Sequence, residues 1–176
     1  MLRGDRRMHR RTQEWVDLID EEDRVIGRVT RAEMRRDNLW HRRVDVLCTN
    51  SRGEIYVHRR TLTKDVFPGL YDMFVCGAVS AGESYDAAAQ REIAEELGIV
   101  GPTPEPLFRR RYSGPSSRAL IAVYRIVWDG PITHQPSEVA WGRYCTPDEI
   151  EANAEGWAFM PDGLSVLRRC LDRLRE

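Results

Sequence analysis

The chain has 176 residues, of which 41% are hydrophobic and 31% charged, a composition typical of one folded domain rather than a disordered segment. Lys and Arg total 27 against 28 Asp and Glu, which excludes a protein whose whole surface is a basic nucleic-acid-binding face. No apolar run approaches the roughly 20 residues that span a bilayer, and the first residues lack the apolar core of an export signal. We therefore expect a cytoplasmic protein, and four buried, reduced cysteines without Cys-x-x-Cys spacing fit that compartment.

The chain begins with a segment unlike the rest. Residues 1–12 hold five arginines and little to bury, so we predict a flexible basic arm followed by a single domain over residues 13–176. Thr30 and Glu33 have the spacing of a capping box, which predicts a short helix from Arg31 to Arg36.

The other elements follow from apolar periodicity and turn residues. Strands are predicted, in chain order, at Glu14 to Ile19, Arg24 to Val29, Arg43 to Thr49, Glu54 to Arg60, Met73 to Cys76, Leu107 to Tyr112, Leu120 to Trp128 and Val139 to Cys145. The third and fourth strands are expected to form a hairpin. A helix is predicted after Thr146, and a leucine stripe predicts another that runs to the C-terminus: Leu164, Leu167, Leu171 and Leu174. Paired strands with a few helices indicate an α/β or α+β sandwich.

One further helix carries the chemistry. It is predicted to begin after Ser84, a good N-cap, and to end at Gly98, which can adopt the left-handed conformation. Apolar residues at four-residue spacing form its buried face: Ala89, Ile93 and Leu97.

Three carboxylates crowd one side of this helix. Glu92, Glu95 and Glu96 fall within an arc of about 100°, and Glu96 lies at the edge of the apolar face, where a free carboxylate is poorly solvated. Arg91 can reach Glu95 but cannot neutralise three acids. A divalent cation can, and a set of oxygen ligands selects Mg²⁺ or Mn²⁺ over Zn²⁺.

The loop before the helix extends this pattern into a spaced motif, Gly77-x5-Glu83-x7-Arg91-Glu92-Ile93-x-Glu95-Glu96-x-Gly98-Ile99. This motif resembles the Nudix box without departure. A wider resemblance runs from about Trp15 to Ile150, and includes His58-Arg59-Arg60, the loop from Phe67 to Tyr71, and Glu138 followed by Trp141.

The resemblance implies an α/β fold, a Nudix-like α/β/α sandwich with a mixed sheet. It implies hydrolysis of a nucleoside diphosphate linked to another moiety, with Mg²⁺ (or Mn²⁺) bound by Glu92, Glu95, Glu96 and the carbonyl of Gly77. Small-molecule diphosphates are the expected partners, with a possible homodimer by analogy, no membrane, and nucleic acid as the less favoured partner.

The resemblance also assigns roles around the metal. Arg91 pairs with Glu83 and ties the loop to the helix. Glu95 is the first candidate for the general base and Glu138 the second. Candidates to bind the substrate phosphates are Arg59, Arg60 and Lys64, although strand alternation sends only one of the two arginines to a given face. Base stacking or core packing explains the aromatic residues equally well: Tyr71, Phe74, Tyr112 and Trp141.

Two alternatives remain open. The chain is also similar to isopentenyl-diphosphate isomerase, a Nudix-fold enzyme whose Cys-Gly-His string is Cys76-Gly77-Ala78 here. Only His41 matches an imidazole ligand of that isomerase, because Met34 and Ala78 stand at the other two positions. The third possibility is a non-catalytic Nudix ligand-binding or regulatory module.

Overall fold

The computed structural model describes residues 13–64 and 66–175, so the basic arm predicted at residues 1–12 lies outside the described residues. Within the described ranges the chain forms nine strands and four helices. In chain order they are β1 Trp15–Ile19, β2 Val25–Thr30, α1 Arg31–Arg36, β3 Trp40–Thr49, β4 Ile55–Arg60, β5 Tyr71–Asp72, β6 Phe74–Ala78, α2 Tyr85–Leu97, β7 Glu105–Gly114, β8 Ser117–Val127, β9 Val139–Cys145, α3 Pro147–Ala152 and α4 Gly163–Arg173. Among these helices none is long and apolar enough to cross a membrane.

Strand β3 organises a mixed sheet. It pairs in parallel with β8 along its whole length, from Trp40 opposite Arg118 to Thr49 opposite Val127. On its other side it pairs antiparallel with β6. Strand β1 pairs with the beginning of β3, where Leu18 lies opposite His41, and β2 pairs with β1. The parallel and antiparallel neighbours of β3 confirm the mixed sheet that the family resemblance implies.

The predicted hairpin between the third and fourth strands is wrong beyond its turn. Strands β3 and β4 share a single pair, Thr49 opposite Ile55. The reason is that β6 pairs with β3 up to Leu47 and so takes the edge that a hairpin partner needs. Strand β4 instead pairs with β9 and, near His58, with β5. The strand predicted to end at Cys76 also continues through Gly77 to Ala78.

Helices cover both faces of the sheet because β3 alternates its side chains between two cores. Val44, Val46 and Cys48 belong to the core that α2 covers. Leu47 belongs to the opposite core, which α3 and α4 cover with Ile150, Val166, Leu167 and Cys170. The architecture is therefore the expected α/β/α sandwich.

The local helix signals are confirmed. The Thr30–Glu33 capping box is present at α1. At α2 the Ser84 hydroxyl accepts a hydrogen bond from the Ala87 amide, and Gly98 ends the helix at φ 66°. In α4 only Leu167 of the predicted stripe is fully buried, because the buried face is centred on Val166 and Cys170.

All four cysteines are free. Cys48, Cys145 and Cys170 are buried as expected, whereas Cys76 is half-buried.

Candidate functional site

Arg91 ties the loop that follows β6 to helix α2. Its Nε and Nη2 donate to the two carboxylate oxygens of Glu83, each at 2.9 Å, and Nη2 also donates to the Ala78 carbonyl at 3.1 Å. The Ser80 amide donates to the same Glu83 carboxylate. Burial acts to raise the pKa of Glu83. The hydrogen bonds from Arg91 and Ser80 outweigh burial, so the pKa of Glu83 is lowered. A bidentate, charge-assisted pair of this kind sets the loop rigidly against the helix.

The three glutamates of α2 differ in their surroundings. Glu92 and Glu96 are 9% and 5% exposed, whereas the Glu95 side chain is 52% exposed. Arg91 Nη1 contacts Glu92 at 2.6 Å and Glu95 at 3.3 Å. Glu96 accepts no hydrogen bond from side chains in the part of the chain that the structure describes, so it is a buried carboxylate without a direct donor.

Burial makes the ionised forms of these acids costly. It raises the pKa of Glu96 to about 8, against the opposing attraction of Lys64 and with the repulsion of Glu92 added. Burial likewise raises the pKa of Glu92, although Arg91 pulls it back. The three glutamates of α2 therefore carry more negative charge than Arg91 and Lys64 neutralise.

Gly77 lies directly against one of these carboxylates. A Cβ at position 77 would stand 1.7 Å from Glu92 Oε1, closer than any non-bonded contact allows. Glycine is required here by close approach rather than by an unusual φ angle.

An acidic cleft of about 280 Å³ opens over these residues. Its polar lining includes Glu14, Arg31, Lys64, Arg91, Glu92, Glu95, Glu96, Gln135 and Glu138. Lys64 forms an ion pair with Glu138 across the cleft. The loop that carries Glu138 is attached to the end of α2, because the Gln135 amide donates to the Glu96 carbonyl at 3.0 Å.

The two adjacent arginines of β4 diverge. Arg60 lies beside Lys64 and holds the following loop by donating to the carbonyls of Phe67 and Val66. Arg59 points the other way, donates to the Gly69 carbonyl and lies over the Tyr71 ring at 5.7 Å. The structure therefore places Lys64 in the wall of the acidic cleft and Arg60 in the wall of a neighbouring cavity that Lys64 also lines, whereas Arg59 lines neither.

Three cations near the cleft were not predicted from the sequence. Arg31, Arg35 and Arg43 line a second cavity of about 110 Å³ together with Arg60 and Lys64. The i, i+4 spacing of Arg31 and Arg35 places both on one face of a helix, and this spacing is the signal that could have revealed them.

The aromatic residues proposed for base stacking are absent from the lining of the acidic cleft, within the ranges described. Tyr71 stacks on Trp157 with ring centroids 4.7 Å apart, and Trp141 meets it edge-on. Phe74 is buried in the core beneath α4.

The residues that matter to the isomerase comparison do converge. Cys76, His41, Met34 and Ala78 all line the second cavity. Burial, reinforced by Asp45 and a second buried aspartate, raises the pKa of the Cys76 thiol well above its usual value. The thiol is thus protonated at neutral pH. Of the three positions that hold imidazole ligands in the isomerase, only His41 carries an imidazole here.

No three His, Cys, Asp or Glu side chains within residues 13–64 and 66–175 already converge on one point. Arg91 contacts two of the three glutamates of α2, Glu92 and Glu95. The candidate ligand side chains, Glu92, Glu95 and Glu96, all offer carboxylate oxygens, which are the ligands that Mg²⁺ and Mn²⁺ prefer.

A mixed sheet between helices, with a glycine-led loop tied to a helix of buried glutamates, defines the class of Nudix-fold proteins. The family model of the NUDIX domain matches residues 39–164, and the chain belongs to the Nudix family of hydrolases. It is an enzyme of the Nudix pyrophosphohydrolase type.

Two relatives illustrate the sequence similarity. The chain is 46% identical over 158 residues to the uncharacterized Nudix hydrolase SCO1686 of Streptomyces coelicolor, covering 89% of this chain and 87% of that one. It is 36% identical over 160 residues to the uncharacterized Nudix hydrolase YfcD of Escherichia coli, covering 91% and 88%.

Two solved structures illustrate the similarity in fold. DR0079 from Deinococcus radiodurans is 31% identical with a TM-score of 0.76, over 89% of this chain and 99% of that one. The NUDIX domain of Shewanella oneidensis NrtR, complexed with ADP ribose, is 17% identical with a TM-score of 0.62, over 83% and 99%. The second similarity concerns the fold alone.

Proposed function

We propose that this enzyme hydrolyses the diphosphate linkage of a nucleoside diphosphate derivative, with Mg²⁺ (or Mn²⁺) as cofactor. The observation that carries the proposal is Glu96. Its carboxylate is buried beside Glu92 at the acidic cleft, receives no hydrogen bond from the described side chains, and has its pKa raised to about 8 by burial. A bound divalent cation supplies the missing positive charge.

The proposed metal ligands are Glu92, Glu95, Glu96 and the carbonyl of Gly77. When bound, the cation neutralises charge on the diphosphate oxygens and makes a water nucleophilic. Arg91 positions two of these carboxylates through its own contacts, and Glu83 positions Arg91 in turn. Indirect partners of this kind commonly tune metal sites.

Glu95 is the first candidate for the general base. Its half-exposed side chain faces solvent at the cleft, where it can accept the proton of an attacking water. Glu138 is the second candidate, and its carboxylate must first leave the ion pair with Lys64. Substitution of each glutamate by glutamine, with kcat compared at saturating Mg²⁺, separates the two.

Arg60 and Lys64 are proposed to bind the substrate phosphates. Both line the second cavity next to the acidic cleft, and Lys64 lines both spaces. Their positive charges complement a diphosphate that the glutamates alone would repel. Arg59 is left out of this proposal because its guanidinium lies over Tyr71.

A substrate panel tests the hydrolase. Purified protein is incubated with ADP-ribose, nucleoside triphosphates and nucleotide sugars, with Mg²⁺ or with a chelator, and the products are separated by chromatography. We expect Mg²⁺-dependent cleavage of at least one compound and its loss, by about 100-fold or more, in Glu96→Gln. Glu105→Gln is the matched control, because Glu105 is exposed on β7 and pairs only weakly with Arg125. Full activity of Glu96→Gln would refute the metal site.

The isomerase alternative has one observation in its favour, the position of Cys76 in the wall of the cleft. Incubation with isopentenyl diphosphate tests it. Conversion that disappears in Cys76→Ala would replace the hydrolase proposal, whereas we expect no conversion.

A further inference from the structure

The loop between β8 and β9 spans residues 128–138 and carries Glu138 to the acidic cleft. We call it the Glu138 loop. One of its residues, Gln135, connects two parts of the proposed site. The Gln135 amide donates to the Glu96 carbonyl at 3.0 Å, at the end of α2. The Gln135 carbonyl in turn accepts the amides of Glu138 and Val139 at 2.9 and 3.0 Å. The position of Glu138 relative to α2 therefore depends on where Gln135 is held.

The residue before Gln135 is held by one side-chain hydrogen bond. The Tyr56 hydroxyl oxygen and His134 Nε2 are 2.5 Å apart, with the two ring centroids at 5.9 Å. Within the part of the chain that the structure describes, the His134 imidazole makes no other hydrogen bond. The Thr133 amide, on the other side, donates to the Leu97 carbonyl at 2.9 Å. His134 thus lies between two backbone contacts with α2, and Tyr56 fixes its side chain.

The hydrogen bond between Tyr56 and His134 joins two uncharged groups. Burial raises the pKa of Tyr56 to about 12 and lowers the pKa of His134. At neutral pH the phenol therefore keeps its proton and the imidazole is neutral. Either tautomer of a neutral imidazole completes the bond, because Nε2 accepts the hydroxyl proton in one and donates to the hydroxyl oxygen in the other. A side-chain amide has the same two capacities.

Tyr56 itself is fixed in the sheet. It is 6% exposed and belongs to the core beneath α2. Its ring meets Tyr144 edge-on, with centroids 5.1 Å apart. The ring also lies against Gly142 of β9, where a Cβ would stand 2.6 Å from the Tyr56 hydroxyl oxygen. Glycine at position 142 thus leaves room for the hydroxyl to reach the Glu138 loop. A rigid group of the core therefore anchors this loop.

The anchoring pair acts on the cleft from outside it. Within the ranges described, the lining of the acidic cleft includes neither Tyr56 nor His134. Their effect on the cleft is therefore transmitted through Gln135 and not through contact with a substrate. Thr61 holds the other end of the loop, where its hydroxyl donates to the Ser137 carbonyl at 2.9 Å. Because this second contact remains when the Tyr56 hydroxyl is removed, we expect the loop to shift rather than to detach.

We propose that Tyr56 and His134 are positioning residues that hold Gln135, and through it the Glu138 carboxylate, in the place that turnover requires. This inference rests on the proposed function, since it concerns the second candidate base of the same cleft. Glu138 then takes part in the reaction, and the anchoring pair controls where its carboxylate stands. Loss of the Tyr56 hydroxyl and loss of the Glu138 carboxylate therefore affect the same step.

A double-mutant cycle tests the inference. Tyr56→Phe keeps the ring over Gly142 and removes the hydroxyl, so we expect kcat for a cleaved compound of the substrate panel, at saturating Mg²⁺, to fall by about 10-fold or more. In a Glu138→Gln background the same substitution is expected to change kcat by less than about twofold, because the group that it positions is already gone. Tyr124→Phe is the matched control with unchanged kcat, because the Tyr124 hydroxyl donates to Asp86 at the opposite end of α2.

Substitutions of His134 separate positioning from general support of the fold. His134→Gln retains a group that can hydrogen-bond to the Tyr56 hydroxyl, so we expect its kcat to stay within about twofold of that of the unsubstituted protein. His134→Leu offers no such group and is expected to reproduce the loss of kcat in Tyr56→Phe. Equal losses in the two His134 variants would contradict a role for this hydrogen bond.

Hydrogen exchange gives a readout that needs no turnover. We expect the Gln135 amide, followed by NMR, to exchange about tenfold faster in Tyr56→Phe than in the unsubstituted protein, and at an unchanged rate in Tyr124→Phe. Unchanged exchange at Gln135, unchanged kcat in Tyr56→Phe, full activity of Glu138→Gln, or additive losses in the cycle would each overturn this inference alone. Faster exchange at Gln135, with no panel compound cleaved by the unsubstituted protein, defeats the proposed function and leaves the anchoring of the loop in place.

Discussion

Gly77 has no Cβ, so only its α-hydrogen lies against the Glu92 carboxylate. Any side chain there would collide with Glu92 Oε1, so the glycine acts on the proposed metal site through space rather than through backbone conformation. The collision is with a side chain of α2, which can move without unfolding the sheet.

We therefore predict that Gly77→Ala displaces Glu92 and lowers kcat/KM and the apparent affinity for Mg²⁺ by about 10- to 100-fold, with little change in melting temperature. Steady-state kinetics at varied Mg²⁺ and thermal unfolding measure the two effects. Gly27→Ala is the matched control, because its Cβ would meet Leu18 at an ordinary 3.7 Å in another strand. Unchanged kinetics in Gly77→Ala would mean that the position of Glu92 does not matter.

The proposed metal ligands could be predicted at this scale, but the full set of cations that lines the second cavity could not. Glu92, Glu95 and Glu96 stand on one helix, so their neighbourhood follows from helical geometry. Arg31 lies on α1 and Arg43 on β3, and no local pattern shows that both line one cavity. In a sequence with 27 Lys and Arg residues, a single arginine such as Arg43 carries no signal of its own.

Helix α2 depends on its ends as much as on its buried face. At the C-terminal end Gly98 adopts φ 66°, while its amide and that of Ile99 return to the carbonyls of Ala94 and Ile93. Thr133 packs so close that a Cβ on residue 98 would lie 3.0 Å from the Thr133 carbonyl. The cap therefore joins α2 to the loop that carries Glu138.

Gly98→Ala is predicted to destabilise the protein by about 1–2 kcal/mol from the left-handed backbone alone, with an added cost from the contact with Thr133. Urea unfolding measures the sum. Gly53→Ala isolates the backbone part, because Gly53 has φ 78° with nothing within 4 Å of its would-be Cβ. If both variants lose the same stability, the packing of Thr133 on the cap contributes nothing.

Elements set by neighbouring residues were predicted well, and elements set by distant ones were not. The caps of α1 and α2 depend on side chains three residues apart, as the Ser84 and Thr30 contacts show. The partner of β4 depends instead on which strand pairs with the edge of β3. Because β6 takes that edge, β4 leaves its sequence neighbour, and no local pattern reports this competition.

At the scale of the whole molecule, β3 connects the two cores and the cleft. Its alternating residues enter both hydrophobic layers, and Arg43 lines the second cavity from the same strand. The parallel β3–β8 pairing joins residues about one half of the chain apart, as Val44 and Ala122 show. Pairings this distant raise the contact order, which slows folding.

The buried His58 makes global stability depend on pH. Burial, with added repulsion from Arg60 and His134, lowers its pKa to about 3, against about 6.5 in an unfolded chain. Between these values the unfolded state binds the extra proton, so stability falls as pH drops through 6.5.

We expect His58 to account for a loss of about 2 kcal/mol in the free energy of unfolding from pH 7 to pH 5. Urea unfolding at several pH values checks this, with His58→Gln as the uncharged variant. The variant should show a flatter pH dependence whatever its stability at pH 7. An identical slope in both proteins would place the titration elsewhere.

The ion pair between Lys64 and Glu138 has a practical consequence, because Lys64 is the only lysine in the 176 residues. Arginine guanidinium groups do not react with acylating reagents that modify lysine, so one side-chain amine, set between the two cavities and 15% exposed, is the single side-chain target for such labelling. A fluorophore or crosslinker attached there would report occupancy of the cleft, with no competing attachment on any other side-chain amine of the protein.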